Sequence, residues 1–256
     1  MKALIFNIIG NMAHFRRFYS SVTPLSYSFP PRNTVAGILA SILGYERDSY
    51  YNIFSRENFG LSVSINNKNG LRRLMLPTNY LDTDQVSITR LRGKGKVPTT
   101  IEYIVAMPPD NELSYRLYVV LLNEEYRDII EELETRIKRK ESTYPLSLGP
   151  VNCLARVEWV ASSQAEIIER NDRLPIRTVI PIELIANGGI VFEQGKKIIF
   201  EERLPPDFAD GREKKGESKN YIFEWRGDII NVNLKTINKQ VFKVNIMGED
   251  VYGVFM

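Results

Sequence analysis

The stretch His14–Gly44, HFRRFYSSVTPLSYSFPPRNTVAGILASILG, decides how this chain is read. Its last third is a helix. Val35, Ile38, Leu39 and Ile42 recur at i, i+3, i+4 and i+7, one face of a 3.6-residue period. Pro30-Pro31 stand where a helix start loses no hydrogen bond. Gly44 suits the left-handed residue that ends many helices. Upstream, Ala3 to Ile9 (ALIFNII) is a short apolar run rich in branched residues and reads as a buried strand. Between strand and helix lies a basic and aromatic cluster, His14, Phe15, Arg16, Arg17, Phe18 and Tyr19. Guanidinium forks grip phosphates, and flat rings stack on unpaired bases. The same residues also fit a plain structural role, with the rings in the core and the arginines solvated.

Composition narrows the choices. Of 256 residues, 43% are hydrophobic, enough for a core in one large domain or two small ones. No apolar run approaches the ~20 residues of a membrane helix, and no leader segment is visible, so the expected location is the cytoplasm without a membrane partner. One cysteine, Cys153, excludes an intrachain disulfide. One histidine and one cysteine give no zinc spacing, and no phosphate-loop, dinucleotide or nucleophile-elbow motif occurs, so no metal and no cofactor is expected. The net charge of +3 is unevenly spread. Residues 1–100 hold 13 Lys/Arg against 5 Asp/Glu, and residues 101–256 hold 21 against 26. The basic part is where a polyanion belongs.

Going outward, residues 46–60 hold a short second helix in this reading, with Tyr50 or Tyr51 and Phe54 inward. Leu61 to Ile65 reads as a strand with one wet face. Residues 66–100 read as a protruding basic hairpin. It carries Arg72 and Arg73 near its base, then Arg90, Arg92, Lys94 and Lys96, which alternate along an extended strand. Strands follow at Thr99–Val105 and Tyr115–Leu122. The strongest helix is 124–140, with Asn123 as its cap and its charges arranged along the dipole. Leu154–Val160 is the next strand. Strand–helix–strand–strand–helix–strand is the ferredoxin-like plan, and RNA-recognition modules use the open face of such a sheet and its adjoining loops. The expected architecture is α+β: a ferredoxin-like domain over 1–160 with an inserted β-hairpin, then a small β-rich domain over 161–256. The polar run 207–220 reads as a mobile loop.

The first forty-four residues resemble the fifth family of CRISPR-associated proteins, in the repeat-associated mysterious protein superfamily. The matching residues are Phe15-Arg16, Thr23-Pro24, Tyr27, Phe29-Pro30-Pro31, Thr34, Gly37, Leu39 and Gly44, with weaker similarity at Tyr144–Gly149, Leu204–Asp207 and Gly211-Arg212. The resemblance implies a subunit of a type I effector (Cascade) complex in antiviral defence. Such a subunit grips the 5′ handle of the crRNA and joins a backbone subunit to the large subunit. The hairpin becomes a thumb that contacts guide RNA, target DNA or both. Under this reading His14, Phe15, Arg16, Arg17, Tyr19 and Arg32 bind RNA at the helix mouth, and Arg72, Arg73, Arg90, Arg92, Lys94 and Lys96 bind it along the thumb. No catalytic residue is assigned. Two competing readings remain: a metal-independent endoribonuclease that processes precursor crRNA with His14 as its base, and a scaffold that binds protein neighbours but no RNA.

Overall fold

A computed structural model describes residues 1–20, 23–81, 96–169, 173–235 and 240–256. The N-terminal part runs β1 (Lys2–Gly10), β2 (Phe15–Arg16), β3 (Ser26–Tyr27), α1 (Arg32–Leu43), β4 (Phe59–Ile65), β5 (Leu71–Leu81), β6 (Lys96–Ala106), β7 (Leu113–Leu121), α2 (Arg127–Arg139) and β8 (Ala155–Ile168). The remainder is strands: β9 (Arg173–Ile176), β10 (Ile180–Pro181), β11 (Ile185–Ile190), β12 (Ile198–Leu204), β13 (Asp207–Phe208), β14 (Lys214–Lys215), β15 (Lys219–Glu224), β16 (Ile230–Leu234), β17 (Val241–Ile246) and β18 (Glu249–Val254).

The readings of the first helix and of the helix after Asn123 hold. Val35, Ile38, Leu39 and Ile42 are all buried on α1, and Gly44 ends it at φ 87° with its N–H bonded to the Ala40 carbonyl. Asn123 caps the 3₁₀ turn ahead of α2 by accepting from the Glu125 N–H. Residues 46–60 differ from expectation: they form turns up to Asn58 and then enter β4, with no helix. Asn58 Nδ2 donates to the Asn52 and Ile53 carbonyls, and Asp48 takes φ 64°. Side chains that bond local backbone compete with helix in this way. Tyr51 and Phe54 are nevertheless buried.

Strands β8, β1, β7 and β4 lie in that order, each antiparallel to its neighbour. One face carries Leu4, Phe6, Ile8, Leu117 and Val119 against Val35, Leu39, Ile130, Leu133 and Ile137 of the two helices. The opposite face was expected to be open and is not. Ile5, Tyr118 and Val120 pack against Phe242, Val244 and Phe255 of the C-terminal strands. The wet face read for Leu61–Ile65 is dry for the same reason. Ser62 and Ser64 are buried, and Ser62 Oγ donates to the Val254 carbonyl at 2.6 Å.

The boundary expected near residue 160 falls inside β8. That strand pairs with β1 over Ala155–Gln164 and with β17 over Ala165–Ile168, and so links all nine strands of the main sheet. β5 and β6 form a separate antiparallel pair of eleven residues each. The run 207–220, read as a loop, contains the paired β13 and β14, held by Asp207 against Arg32 and Arg56 and by Phe208 against Tyr51.

A sheet continuous through β8 should unfold as one unit. Trp159 and Trp225 report on the two halves. Phe242→Ala, which removes a ring stacked 4.8 Å from Phe255, should cost about 3–5 kcal/mol and move the urea transitions of fluorescence and circular dichroism together. Two separated transitions in either protein would contradict this.

Candidate nucleic-acid interface

Residues 14–18 leave β1 and lie across the N-terminal end of α1. β2 pairs with β3, Phe15 opposite Tyr27 and Arg16 opposite Ser26. Successive side chains of an extended segment point to opposite sides, so the cluster divides. Phe15 is turned inward, 3% exposed, edge-on to Tyr115. Arg16 is exposed and has no ion pair among the described residues. Phe15, expected to stack on RNA, is therefore a core residue. The exposed ring is Phe18, at 54%, which the sequence reading left out of the site.

Arg17, Tyr19 and Arg73 were expected to contact RNA. Their polar groups meet the C-terminal half of the chain. Glu201, on β12, is fully buried. It accepts hydrogen bonds from Arg17 Nη2, from Arg73 Nη2 at 3.2 Å, and from Ser28 N and Oγ at 3.0 and 2.7 Å. Arg73 also donates to Glu102 at 2.8 Å and to the Ser26 carbonyl. Tyr19 donates to Glu202 at 3.1 Å, and the Arg203 guanidinium lies 3.8 Å from its ring centroid. Arg32, also expected to hold a phosphate, is buried. Its Nη2 donates to the Phe54 and Phe59 carbonyls, and Nη1 lies 3.7 Å from Asp207. Burial lowers its pKa to about 10. Each of these arginines is spent on the fold.

His14 is buried, and its Nδ1–H donates to the Glu102 carbonyl at 2.7 Å. That bond fixes the tautomer and leaves Nε2 as an acceptor. Burial, aided by Arg16, holds the pKa below the usual histidine value, outweighing the hydrogen bond. Gly149, at φ 110°, lets the 146–150 loop approach: a Cβ there would stand 2.1 Å from the His14 carbonyl. Arg72 is exposed on β5. Arg90, Arg92 and Lys94 lie outside the described residues. Lys96 opens β6, its backbone opposite Leu81.

What remains at the helix mouth is a groove of about 570 Å³. It is lined by His14, Phe15, Arg16 and Phe18, by Pro31, Asn33 and Thr34 at the start of α1, and by Gly149, Pro150 and Phe208. Among the described residues lining it, none carries a carboxylate, and only His14 and Arg16 ionise. The first turn of α1 also lacks an acid, so the positive helix end is not countered locally. Asn33, Thr34, Pro150 and Phe208 were missed as site residues. The Thr34 and Gly149 positions belonged to quoted motifs, whereas Phe208 carried no local signal. Among the described residues, no group of three or more His, Cys, Asp or Glu could hold a metal. Burial raises the Cys153 thiol to about 11, as expected of an inert core thiol.

Two outcomes follow from this geometry. Glu201→Ala strands two guanidinium groups and should cost about 3 kcal/mol, the low end for a broken buried pair because Arg73 is partly open. Arg16→Ala should stay within about 0.5 kcal/mol, and equal losses would disprove the difference in roles. For His14, the folded pKa lies below the unfolded value of about 6.5. Below that pH the unfolded chain binds a proton that the folded chain refuses, so stability falls as pH drops. His14→Gln should flatten the loss of urea stability between neutral pH and about pH 5. An unchanged slope would show that the ring titrates as a solvated histidine.

Comparison with known proteins now has a geometry to refer to. The family described as CRISPR-associated protein (Cas_Cas5) matches residues 3–220. A crystal structure of a CRISPR protein from Archaeoglobus fulgidus aligns over 100% of both chains at 15% identity and a TM-score of 0.54, a likeness of fold. A chain of a CRISPR RNA-guided surveillance complex aligns at 12% identity over 90% of this chain and 91% of its own, with a TM-score of 0.48. Curated proteins include no significant match. With 218 consecutive residues inside one family match, the chain belongs to the CRISPR-associated Cas5 family.

Proposed function

We propose that this chain is a non-catalytic RNA-binding subunit of a type I CRISPR effector complex. It grips the 5′ handle of crRNA and bridges a backbone subunit and the large subunit. The observation that carries the reading is the groove at the mouth of α1, lined by Arg16, His14 and Phe18 and free of carboxylates in a chain with 31 acidic residues. A polyanion with flat faces suits that lining. The order β8-β1-β7-β4 with both helices on one face supports the ferredoxin-like plan for residues 1–160. The β5–β6 pair supports a thumb, with Arg72 at its base. The covered sheet face favours the loops at the sheet end over the sheet itself as the binding surface in this reading.

The endoribonuclease reading has one observation in its favour: His14 lines the groove as a neutral imidazole with Nε2 able to accept a proton. Among the described residues lining the groove, none besides His14 and Arg16 ionises. Cleavage of repeat RNA in chelator, abolished by His14→Ala, would establish this reading against ours.

In the binding reading, RNA affinity falls as salt rises, by about 0.7 logarithmic units per phosphate contact. Arg16→Ala should weaken handle binding and lower that slope by about one contact. Glu201→Gln, which loosens the fold around Arg17 and Arg73, should weaken binding with the slope unchanged. A pull-down of neighbouring subunits with no retained RNA would support the scaffold reading instead.

A further inference from the structure

A pocket of about 310 Å³ lies at the base of the β5–β6 pair, against β12 and the end of β15. It shares no lining residue with the groove at α1. Leu71, Ile104, Met107, Ile199, Phe223 and Trp225 make its apolar wall, and Leu71, Met107, Ile199 and Trp225 are only half-buried. Two of the strands beside it end their sheets. Among the described residues β5 pairs only with β6, and β12 only with β15. An unpaired edge keeps backbone N–H and C=O groups that an added strand can meet.

Trp225 is held in place. Its Nε1 donates to the Asn69 carbonyl at 3.3 Å, and a Cβ at Gly70 would stand 1.1 Å from that nitrogen. The Lys197 ammonium lies 3.9 Å from the ring centroid. Phe223 is buried, edge-on to Phe29. The rest of the wall is aliphatic or thioether, which suits an apolar side chain better than a base held by stacking. The charge is one-sided. Among the described lining residues, Arg72, Arg73 and Lys197 are cations and none is a carboxylate. Arg73 is committed to Glu102 and Glu201. The buried Glu224 is taken by the N–H groups of Lys197, Arg226 and Asp228 at 3.1, 2.7 and 3.0 Å. Arg72 and Lys197 are exposed and have no ion pair among the described residues.

We propose that this pocket docks an extended acidic segment of a partner protein. One large apolar side chain of the segment fills the pocket, and carboxylates beside it pair with Arg72 and Lys197. The segment's backbone runs along a free strand edge, as in strand-addition complexes. The volume stands at the low end of the ~300–1,000 Å³ of ligand pockets, so it takes one side chain and not a folded element. An apolar anchor in a desolvated pocket is the usual source of affinity at a protein interface. Arg72, expected on RNA, serves the partner in this proposal. The inference does not depend on what the groove at α1 holds.

The test uses the full chain and fluorescein-labelled serine-glycine peptides, read by fluorescence anisotropy at low salt. Acidic residues flank a central alanine, leucine or phenylalanine. Leucine and phenylalanine should bind roughly ten- to hundredfold more tightly than alanine, the value of burying such a side chain. Lys197→Gln and Arg72→Gln should each weaken binding roughly two- to fivefold, as for exposed ion pairs, and added salt should narrow that difference. Ile199→Ala should reduce the preference for the large side chain. Thermal melting confirms that each variant is folded. The proposal is overturned if no acidic peptide binds below ~1 mM, if the central residue makes no difference, or if peptides with lysine in place of the acids bind as well. Oligouridine that displaces the peptide and is weakened by Lys197→Gln would assign the pocket to nucleic acid instead. Self-association of the chain that Lys197→Gln abolishes would assign it to a second copy. Lys197→Gln should leave binding of handle RNA unchanged, so failure of this proposal and failure of the RNA reading are separate results.

Discussion

The buried carboxylate of Glu201 organises the front of this molecule. Taking a carboxylate out of water costs several kcal/mol unless its lone pairs are met. Here they are met by two guanidinium groups and by the N–H and hydroxyl of Ser28. These donors come from the 14–28 segment and from β5, while Glu201 sits on β12. One side chain therefore ties the basic loop, the base of the β5–β6 pair and the C-terminal strands to one another. Glu102 extends the knot by accepting from Ser26 N and Arg73.

This knot also decides which cations face solvent. The excess of positive charge in residues 1–100 is partly a complement to the acidic remainder of the same chain. Arg17 and Arg73 meet Glu201, and Arg32 and Arg56 meet Asp207. With these neutralised, Arg16 has no ion pair among the described residues and lines a groove whose described lining holds no carboxylate. The negative groups that could have repelled a polyanion are held in ion pairs behind it, and the groove keeps the positive end of α1 as part of its floor.

The covered sheet face is the second constraint. Here Phe242, Val244 and Phe255 close over Ile5, Tyr118 and Val120. Met256 N–H and Val179 N–H bond the Leu61 and Val63 carbonyls of β4, so the outer strand of the sheet is capped as well. The loops where β1 ends and α1 begins stay uncovered, and the groove is there.

Local physics made much of this visible from residue order. The periodicity of Val35, Ile38, Leu39 and Ile42, the glycine after the helix and the branched run of β1 each depend on neighbours a few residues away. So do the cap at Asn123 and the family resemblance carried by residues 15–44. Long-range partners were not visible. Nothing near Arg17, Arg32 or Arg73 announces that Glu201 or Asp207, more than a hundred residues later, will take their charge. The dry faces of Ser62 and Ser64 and the inward turn of Phe15 have the same origin. Sequence alone determined α1, the helix after Asn123 and the buried strand β1, because hydrophobic period and capping are local. Tertiary structure decided which arginines bind the fold and which stay exposed, because a charge is assigned by the group that packs against it in space.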